Sequence, residues 1–439
     1  MKTPRLIAAK AFVPVRLLSL LVLLLFFPTV AAAANVTVDC DTGGTISGAL
    51  ASLDAVGPHT ITVTGTCSEN VNINLRNQVT IQAPNGQTAT IEAANPNGNV
   101  ILISSARRIV LNRLVIRGGR NGVNINLGSD VEIHNSTITN NNAVGILFTQ
   151  STLNIDSSSI VDNGAAGLGA QAGSLANVGG VNPLQQVHIS GNGTGVTVLE
   201  AFVQFNGNFT VEDNTGFGFD VAGGRLNLSG TQAGVENLIS SNGGGINLRN
   251  AATGMIFGKV VIQNNTGIGI NVSNGSNLTM NQAMLPDSTV LSTVIEGHPN
   301  SGLTLSQQSQ ATIGGAHKIR NNGATPGTCI STVCGGIRVF SGSQLTLRGT
   351  AEVTNNIGPG VNLEHNSALL IITPVVISGN TEEGIRQLIH ASTSIIPLTP
   401  TPAPGTNNIS SVICDDSSLV AGDLLGIGKV TCKVAKPLK

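Results

Sequence analysis

The chain has few of the residues on which recognition of sugars or nucleic acids usually depends. Its 439 residues include no Trp and no Tyr, and charged residues make up only 10%. Sugar-binding grooves generally use flat aromatic side chains, so this composition counts against a dedicated polysaccharide-processing groove. The formal net charge of −1 is too mild for nucleic-acid binding, which requires a basic surface, and no nucleic acid is expected as a partner.

Long apolar runs are absent after the first 34 residues. This segment begins with basic residues, continues with the apolar stretch Leu17–Phe27 and ends in small residues at Val30–Ala34. The pattern predicts a secretory signal peptide over 1–34; the alternative is a retained anchor, for which the apolar stretch is short. We therefore expect a secreted, periplasmic or extracellular protein that is monomeric and has no membrane contact after cleavage.

The most informative pattern is an Asn that returns with a following Gly and a short apolar segment. Several intervals are 22 to 24 residues, and the wider ones are consistent with the same unit carrying an inserted loop. A period of this length indicates stacked coils that bury their apolar faces against each other. The recurring positions are Asn141, Asn163, Asn192, Asn214, Asn242, Asn265, Asn300, Asn322, Asn356 and Asn380.

Each repeat contains about three short segments with alternating apolar residues. Val131–Ile133, Ile138 and Gly145–Phe148 recur 22 residues later. Strands that return in one direction at this interval must pair in parallel, at roughly 4.8 Å per coil. The sequence predicts an all-β, single-stranded parallel β-helix, in which the Asn takes a left-handed turn and bonds to its neighbours above and below.

Both ends of the predicted coil have closing elements. A helical pattern near residue 46 predicts a short N-terminal capping helix within a cap at 35–60. The coil itself is expected over 61–390, followed by a Pro-rich loop at 391–408 and a C-terminal disulfide-closed element at 409–439.

The six cysteines permit 15 connectivities in an oxidising compartment. Local pairing is preferred because distant coils cannot bring thiols together. No CxxC pair or nearby His completes a metal site, so neither a metal nor a cofactor is expected. The preferred pairs are Cys40–Cys67, Cys329–Cys334 and Cys414–Cys432.

Two segments, Ser136–Ile146 and Val260–Ile270, resemble the right-handed parallel β-helix superfamily, the pectin-lyase-like fold. The resemblance covers roughly residues 60 to 390. It implies a right-handed coil and, for the enzymes of the family, an active site on the outer surface of one sheet. The same coil carries lyases, hydrolases, epimerases, adhesins and inert spacers, so the fold leaves the chemistry open.

Candidate catalytic residues come from two outward columns. The column after the Gly offers one carboxylate, Asp220, which cannot by itself supply the six to eight oxygens that Ca²⁺ takes. Asp162 and Asp213 precede ladder Asn residues two coils apart, roughly 9 to 10 Å, near the upper carboxylate separation of an inverting glycosidase. Asp is also common at turns. The first column is Asn124, Leu147, Thr197, Asp220, Asn247, Asn271, Thr304, Arg338, Asn362 and Arg386.

Candidate binding residues are arginines. A group of them crowds the first coils and could hold an anionic polymer such as a uronate; the alternative is an ordinary solvated end of the solenoid. The group is Arg107, Arg108, Arg113, Arg117 and Arg120, and the residues chosen as binding candidates are Arg113, Arg117, Arg249 and Arg338.

These patterns favour a secreted β-helix protein that is structural, adhesive or surface-binding and not catalytic, with a polysaccharide or a cell surface as its partner. The alternative is a polysaccharide lyase or glycoside hydrolase acting on an acidic or plant-type polysaccharide, in which Asp162, Asp213 or Asp220 takes part.

Overall fold

The computed structural model describes residues 33–180, 185–323, 335–372, 374–396, 408–422, 427–431 and 433–434. Most of the predicted signal peptide, the Cys329–Cys334 pair, Cys432 and the Pro-rich stretch 397–407 lie outside the described residues.

Short strands wind into a parallel β-solenoid whose coils stack in register. Val131 lies opposite Leu153 and Ile133 opposite Ile155, one 22-residue repeat further along the chain. The predicted fold class, an all-β parallel β-helix with a short helix near its N-terminus, is confirmed.

Three strand stacks form the sides of the rod, and we call them faces A, B and C. Face A comprises Ala34–Asp39, Val56–Thr64, Asn77–Gln82, Arg107–Asn112, Asp130–His134, Thr152–Asp156, Leu175–Val178, Phe202–Asn206, Arg225–Gly230, Thr253–Gly258, Asn277–Asn281, Gln310–Gly314, Gln344–Arg348, Ala368–Ile372, Ser392–Ile396, Leu419–Gly422 and Lys433–Val434.

Face B comprises Thr66–Ser68, Ala89–Glu92, Leu114–Arg117, Thr137–Thr139, Ser159–Val161, Val187–Ser190, Phe209–Glu212, Asn237–Ser240, Val260–Gln263, Val294–Glu296, Lys318–Arg320, Glu352–Thr354 and Val376–Ser378. Ile427–Thr431 pairs with Asn408–Cys414 and, like it, extends across faces B and C. Face C comprises Val71–Asn74, Ile101–Ser104, Val123–Asn126, Ile146–Thr149, Ala166–Gln171, Thr194–Leu199, Phe217–Ala222, Gly244–Arg249, Ile270–Val272, Leu303–Leu305, Ile337–Val339, Val361–Glu364 and Ile385–Leu388. Asn408–Cys414 pairs with both faces B and C, and a hairpin of Ala283–Met284 and Val290–Leu291 projects between faces A and B.

The core runs along the axis of the rod. Alternate side chains of every face point inward, so that Ile133 and Ile155 are almost fully buried one above the other. A fully buried side chain of this size contributes about 1.5–3 kcal/mol. Phe205 packs edge-on against both Phe209 and Phe219, with ring centroids 5.1 Å apart in each pair, and these three rings fill the core where they lie.

The N-terminal end is covered by the predicted helix, α1, at Ile46–Ser52. Its residues Ile46, Ala49 and Leu50 are buried against the first coil. The Glu69 carboxylate accepts hydrogen bonds from the first two backbone amides of the helix, at 2.6 and 3.0 Å. A carboxylate at this position satisfies otherwise free amides and complements the helix dipole, which holds the cap on the solenoid.

The sheets extend beyond the predicted limits of 61 and 390. At the start, Ala34–Asp39 already pairs in parallel with Val56–Thr64. At the other end, Ser392–Ile396 continues face A, although the sequence suggested a loop there. Cys40 and Cys67 form the expected disulfide, and Cys414 is disulfide-bonded as well.

The corner between faces B and C is built on the Asn ladder. Asn163 donates from Nδ2 to Oδ1 of Asn192 at 3.0 Å, and its own Oδ1 accepts from the backbone and side chain of Asn141. The same contact joins Asn192 to Asn214. Each buried corner amide thereby finds an acceptor in the next coil, which is why the residue recurs.

Two details of the predicted ladder are wrong. The left-handed residue is the one before each ladder Asn, because the ladder side chain must point inward to reach its neighbours. Asn300 is not a rung either: His298 occupies that place, and its backbone amide donates to Asn322 Oδ1 at 3.2 Å. The left-handed positions are Asn140, Asp162, Gly191, Asp213, Ser241, Asn264, Gly297, Asn321, Asn355 and Gly379.

The other two corners carry shorter ladders that the sequence did not reveal. Between faces C and A, Ser129 N donates to Ser151 Oγ at 3.2 Å, and Ser151 N donates to Ser174 Oγ at 3.4 Å. Between faces A and B, Ser136 N donates to Ser158 Oγ at 3.1 Å. Serine serves here because its hydroxyl also donates back to a nearby carbonyl.

We expect Asn163→Ala to lower the free energy of unfolding by about 2–4 kcal/mol, because it leaves several buried polar groups without partners. Chemical denaturation measures the change. The control is Asn142→Ala at the neighbouring exposed position, for which we expect less than about 0.5 kcal/mol. Equal losses in the two variants would contradict a structural role for the ladder.

Candidate functional site

The outward column of face C has the predicted composition. Thr197, Asp220 and Asn247 lie opposite one another in three successive coils, and Asn271 follows. Asp220 is the carboxylate that the sequence singled out on this face, so its contacts decide what the column can do.

Asp220 is held by its neighbours in the next coil. Its two carboxylate oxygens each accept from the Arg249 guanidinium at 3.0 Å, and Oδ1 also accepts from Asn247 Nδ2 at 2.8 Å. The hydrogen bond with Asp220 raises the pKa of Arg249. A bidentate ion pair with a further amide donor occupies three of the roughly four lone-pair sites of the carboxylate and fixes its orientation.

Asp162 and Asp213 occupy one column, as predicted, with Gly191 between them. Both are exposed and adopt the left-handed corner conformation. The Asp162 carboxylate bends over the next coil, where a Cβ on Gly191 would collide with it. Asn264 takes the same position over a glycine elsewhere in the solenoid, which indicates that the arrangement needs a short polar side chain and not an acid.

The four predicted binding arginines all have partners within the chain. Arg113 donates to the Ala83 carbonyl at 2.8 and 3.1 Å. Arg117 pairs with Glu92 in the preceding coil at 3.2 Å. Arg249 pairs with Asp220, and Arg338 pairs with Glu364.

The sequence did not reveal the importance of Glu364. This outward-facing residue has only 5% of its side chain exposed, and it accepts from Arg338 Nη2 at 3.1 Å and from Asn362 Nδ2 at 2.6 Å. The Arg338 guanidinium also lies over the Phe340 ring, 4.3 Å from its centroid. The spacing of 26 residues between the charged partners was the available signal, since it places them in neighbouring coils.

Further carboxylates make similar contacts between coils. Arg320 Nε donates to Glu296 at 2.7 Å, and Lys318 pairs with Glu352 at 3.5 Å. On face A, His134 Nδ1 lies 2.9 Å from the Asp156 carboxylate in the next coil.

Two histidines are buried as rungs of the corner ladders. His317 Nδ1 accepts a hydrogen bond from Thr293 N at 3.0 Å, and burial lowers the pKa of this imidazole to about 4. Burial also lowers the pKa of His298, whose Nε2 lies 3.1 Å from the Ile262 carbonyl. Both residues are 1% exposed, so they act as structural groups and not as accessible acids or bases.

Within the described ranges, no three His, Cys, Asp or Glu side chains converge in a way that could hold a metal ion. The helices of the described chain include none with the length and apolar character needed to span a bilayer.

Comparison with known proteins agrees with this architecture. A family model described as "Right handed beta helix region" matches residues 59–201. The structure of pectate lyase Pel9A is similar over 88% of this chain and 80% of the other, with 9% sequence identity and a TM-score of 0.26. A superposition of that quality supports no functional inference. A search of curated proteins finds no significant match to the sequence.

The stacked parallel coils and the matching family model define the class of this protein as a parallel β-helix protein. The resemblance of the sequence to the right-handed parallel β-helix superfamily is supported by this family model, which covers residues 59–201.

We expect acid to destabilise the fold through His317. Its pKa is lower in the folded than in the unfolded state, so the unfolded chain binds the proton more readily. The stability contributed by the neutral His317 imidazole is therefore fully present above about pH 6.5. As the pH falls towards 4, the free energy of unfolding decreases by up to about 3 kcal/mol.

His317→Asn tests this expectation, because Asn237 accepts a backbone amide in the same way at this corner and does not titrate. The variant should lose less stability than the parent between pH 7 and 4 in denaturant titrations. His365→Asn, at an exposed left-handed position, is the control and should retain the parent's dependence. An unchanged acid dependence in His317→Asn would contradict the assignment.

Proposed function

We propose that this chain is a secreted, non-catalytic β-helix protein that provides a stiff structural or adhesive surface for a polysaccharide or cell-surface partner. The observation that carries the proposal is that charged side chains on the outer surface form ion pairs between neighbouring coils. The pairs Asp220–Arg249, Glu296–Arg320 and Glu364–Arg338 each join neighbouring coils.

These ion pairs favour a structural role for the carboxylates over a catalytic one. A catalytic carboxylate must be free to bind a proton or to contact the substrate. Asp220 is instead fixed by three hydrogen bonds from Arg249 and Asn247 on the next coil, and Glu364 by two from Arg338 and Asn362. The pairs therefore act as clamps along the axis of the rod.

The regular outer surface supports the adhesive part of the proposal. On face A, Thr279, Thr312 and Thr346 lie in register at successive coils. Asn177 Nδ2 donates to Asn154 Oδ1 at 2.9 Å in the same way. Polar groups repeated at roughly 4.8 Å present one extended array, which suits an extended partner more than a small molecule. An oxidising compartment is consistent with the Cys40–Cys67 disulfide.

The direct test is to incubate the purified protein with acidic and neutral polysaccharides and to measure unsaturated products, reducing ends and retention on the insoluble polymers. We expect retention on a polysaccharide or on cells without product release. If products form and Asp162→Asn or Asp220→Asn abolishes their formation, the lyase or hydrolase alternative replaces this proposal.

Asp220→Asn should lower the free energy of unfolding by about 1 kcal/mol, the range of a partly exposed ion pair, while leaving retention on the polymer unchanged. Arg249 has 37% of its side chain exposed, which limits the expected loss. Thermal and denaturant unfolding measure it, with Asp54→Asn as the exposed control. A loss of retention with full stability would place Asp220 in a binding site and contradict the clamp.

A further inference from the structure

One group of arginines stands apart from those that pair within the rod. Arg107 and Arg108 begin a strand of face A and are both exposed. Among the described residues, neither guanidinium has a carboxylate within 4.0 Å, whereas Arg117, Arg249 and Arg338 each have one.

The local backbone explains why these side chains project. Ala106 N donates to the ladder residue Ser129, and Ile109 lies opposite Val131. Two residues, Arg107 and Arg108, therefore stand opposite the single residue Asp130. This is a β-bulge, a device that redirects side chains and often lies beside functional sites.

The bulge ends at this coil. In the preceding coil Gln78 lies in the same left-handed conformation as Arg108, with φ values of 61° and 54°. In the following coil Thr152 comes directly after the ladder residue Ser151 and pairs with Asp130, so the extra residue is missing. The change in coil width leaves a step on the surface at the two arginines.

A groove of about 390 Å³ begins at this step and runs along the axis over four coils. Its length is roughly 14 Å, from three intervals of ~4.8 Å. Two glycines of its floor, Gly128 and Gly173, have no heavy atom within 4 Å of a Cβ built on them, so nothing covers the floor there. Gln150 and Thr152 supply an amide and a hydroxyl along the wall.

The charge of the groove fits an anion. Arg107 and Arg108 contribute two positive charges and Asp130 one negative charge, a net of +1, although the chain as a whole carries −1. No ion pair within 4.0 Å joins Asp130 to either guanidinium in the described structure. Arg108 Nη1 lies 2.5 Å from the Gln78 side-chain amide, which leaves the other Arg108 donors and those of Arg107 for a ligand. Guanidinium groups bind planar oxyanions through two parallel hydrogen bonds.

We propose that this groove binds an extended acidic polysaccharide, with Arg107 and Arg108 on a carboxylate or sulfate group and Gln150, Thr152 and Asp130 on neighbouring hydroxyls. This inference rests on the proposed function and names its binding site. Arg107 and Arg108 belong to the arginine group that the sequence analysis described, whereas the four arginines chosen there as binding candidates are not part of the groove. Two guanidiniums beside an acid are too small a basic surface for nucleic acid.

The test uses the purified full chain and four immobilised probes: polygalacturonate for carboxylates, heparin for sulfates, dextran as a neutral polymer and phosphatidylserine vesicles as a lipid source of anions. We expect binding to at least one of the two acidic polymers and weaker binding as salt is raised. Immobilised dextran and immobilised vesicles should not retain the protein.

The variants distinguish binding in the groove from nonspecific electrostatic attraction between the protein and the polymer. Arg107→Gln together with Arg108→Gln should weaken binding at least about tenfold, because two charge-assisted contacts are lost. Gln is compatible with the backbone at this bulge, since Gln78 has the same conformation in the preceding coil. Arg107→Gln alone, at a residue outside the left-handed region, should show part of the loss without risk to folding. Arg117→Gln, on face B, removes the same charge elsewhere and should bind within about twofold of the parent.

The outcomes distinguish this inference from the broader function. Unchanged binding by the double variant, an equal loss in Arg117→Gln, or retention on the vesicles alone would overturn the groove as a polysaccharide site. If the parent binds a polymer or cells and the double variant binds equally well, the proposed function stands and the groove does not. If the parent releases products, the proposed function fails, while the variants still report whether the groove binds the polymer.

Discussion

At each corner of the rod the backbone leaves one sheet before it enters the next, and a buried amide there needs an acceptor that its own coil does not supply. The neighbouring coil provides it through a short polar side chain. Asn163 serves its neighbours on both sides at one corner, and Ser151 and Ser158 serve at the other two. The strands of the faces tolerate many sequences in which inward apolar and outward residues alternate. The short polar residues of the corners, in contrast, must recur from coil to coil.

This requirement also organises the outer surface. Once the corners fix the register, residues about 22 positions apart become vertical neighbours, and opposite charges at those positions meet without any further folding step. Glu92 and Arg117, or Glu296 and Arg320, lie directly opposite each other in this way. Arg249 reaches Asp220 diagonally, from the position opposite Ala222. The same geometry that lets the coils stack thus pairs part of the surface charge, and Arg107 is among the charged residues that have no ion pair in the described structure.

The period was enough to predict the three faces, the inward residues and the column that contains Asp220, and the helical pattern near residue 46 predicted the capping helix. It could not identify the left-handed residue of each corner, because Asn is compatible with both adjoining positions. His298 was missed because the hairpin Ala283–Leu291 lengthens its coil and shifts the count to Asn300. The partners of the arginines depend on side-chain reach, and the bulge at Arg108 depends on one extra residue, neither of which the repeat encodes.

The substitution of histidine at one rung divides the corner hydrogen-bond system into two runs, one from Asn141 to Asn265 and one from Asn322 to Asn380. Amide side chains pass the same donor and acceptor pair from rung to rung within each run, and an imidazole cannot relay it. The amide ladder is therefore interrupted at His298, while the strands of all three faces continue in register across this coil. At this coil the backbone hydrogen bonds of the sheets, and not the corner side chains, carry the stacking from one run of amides to the next.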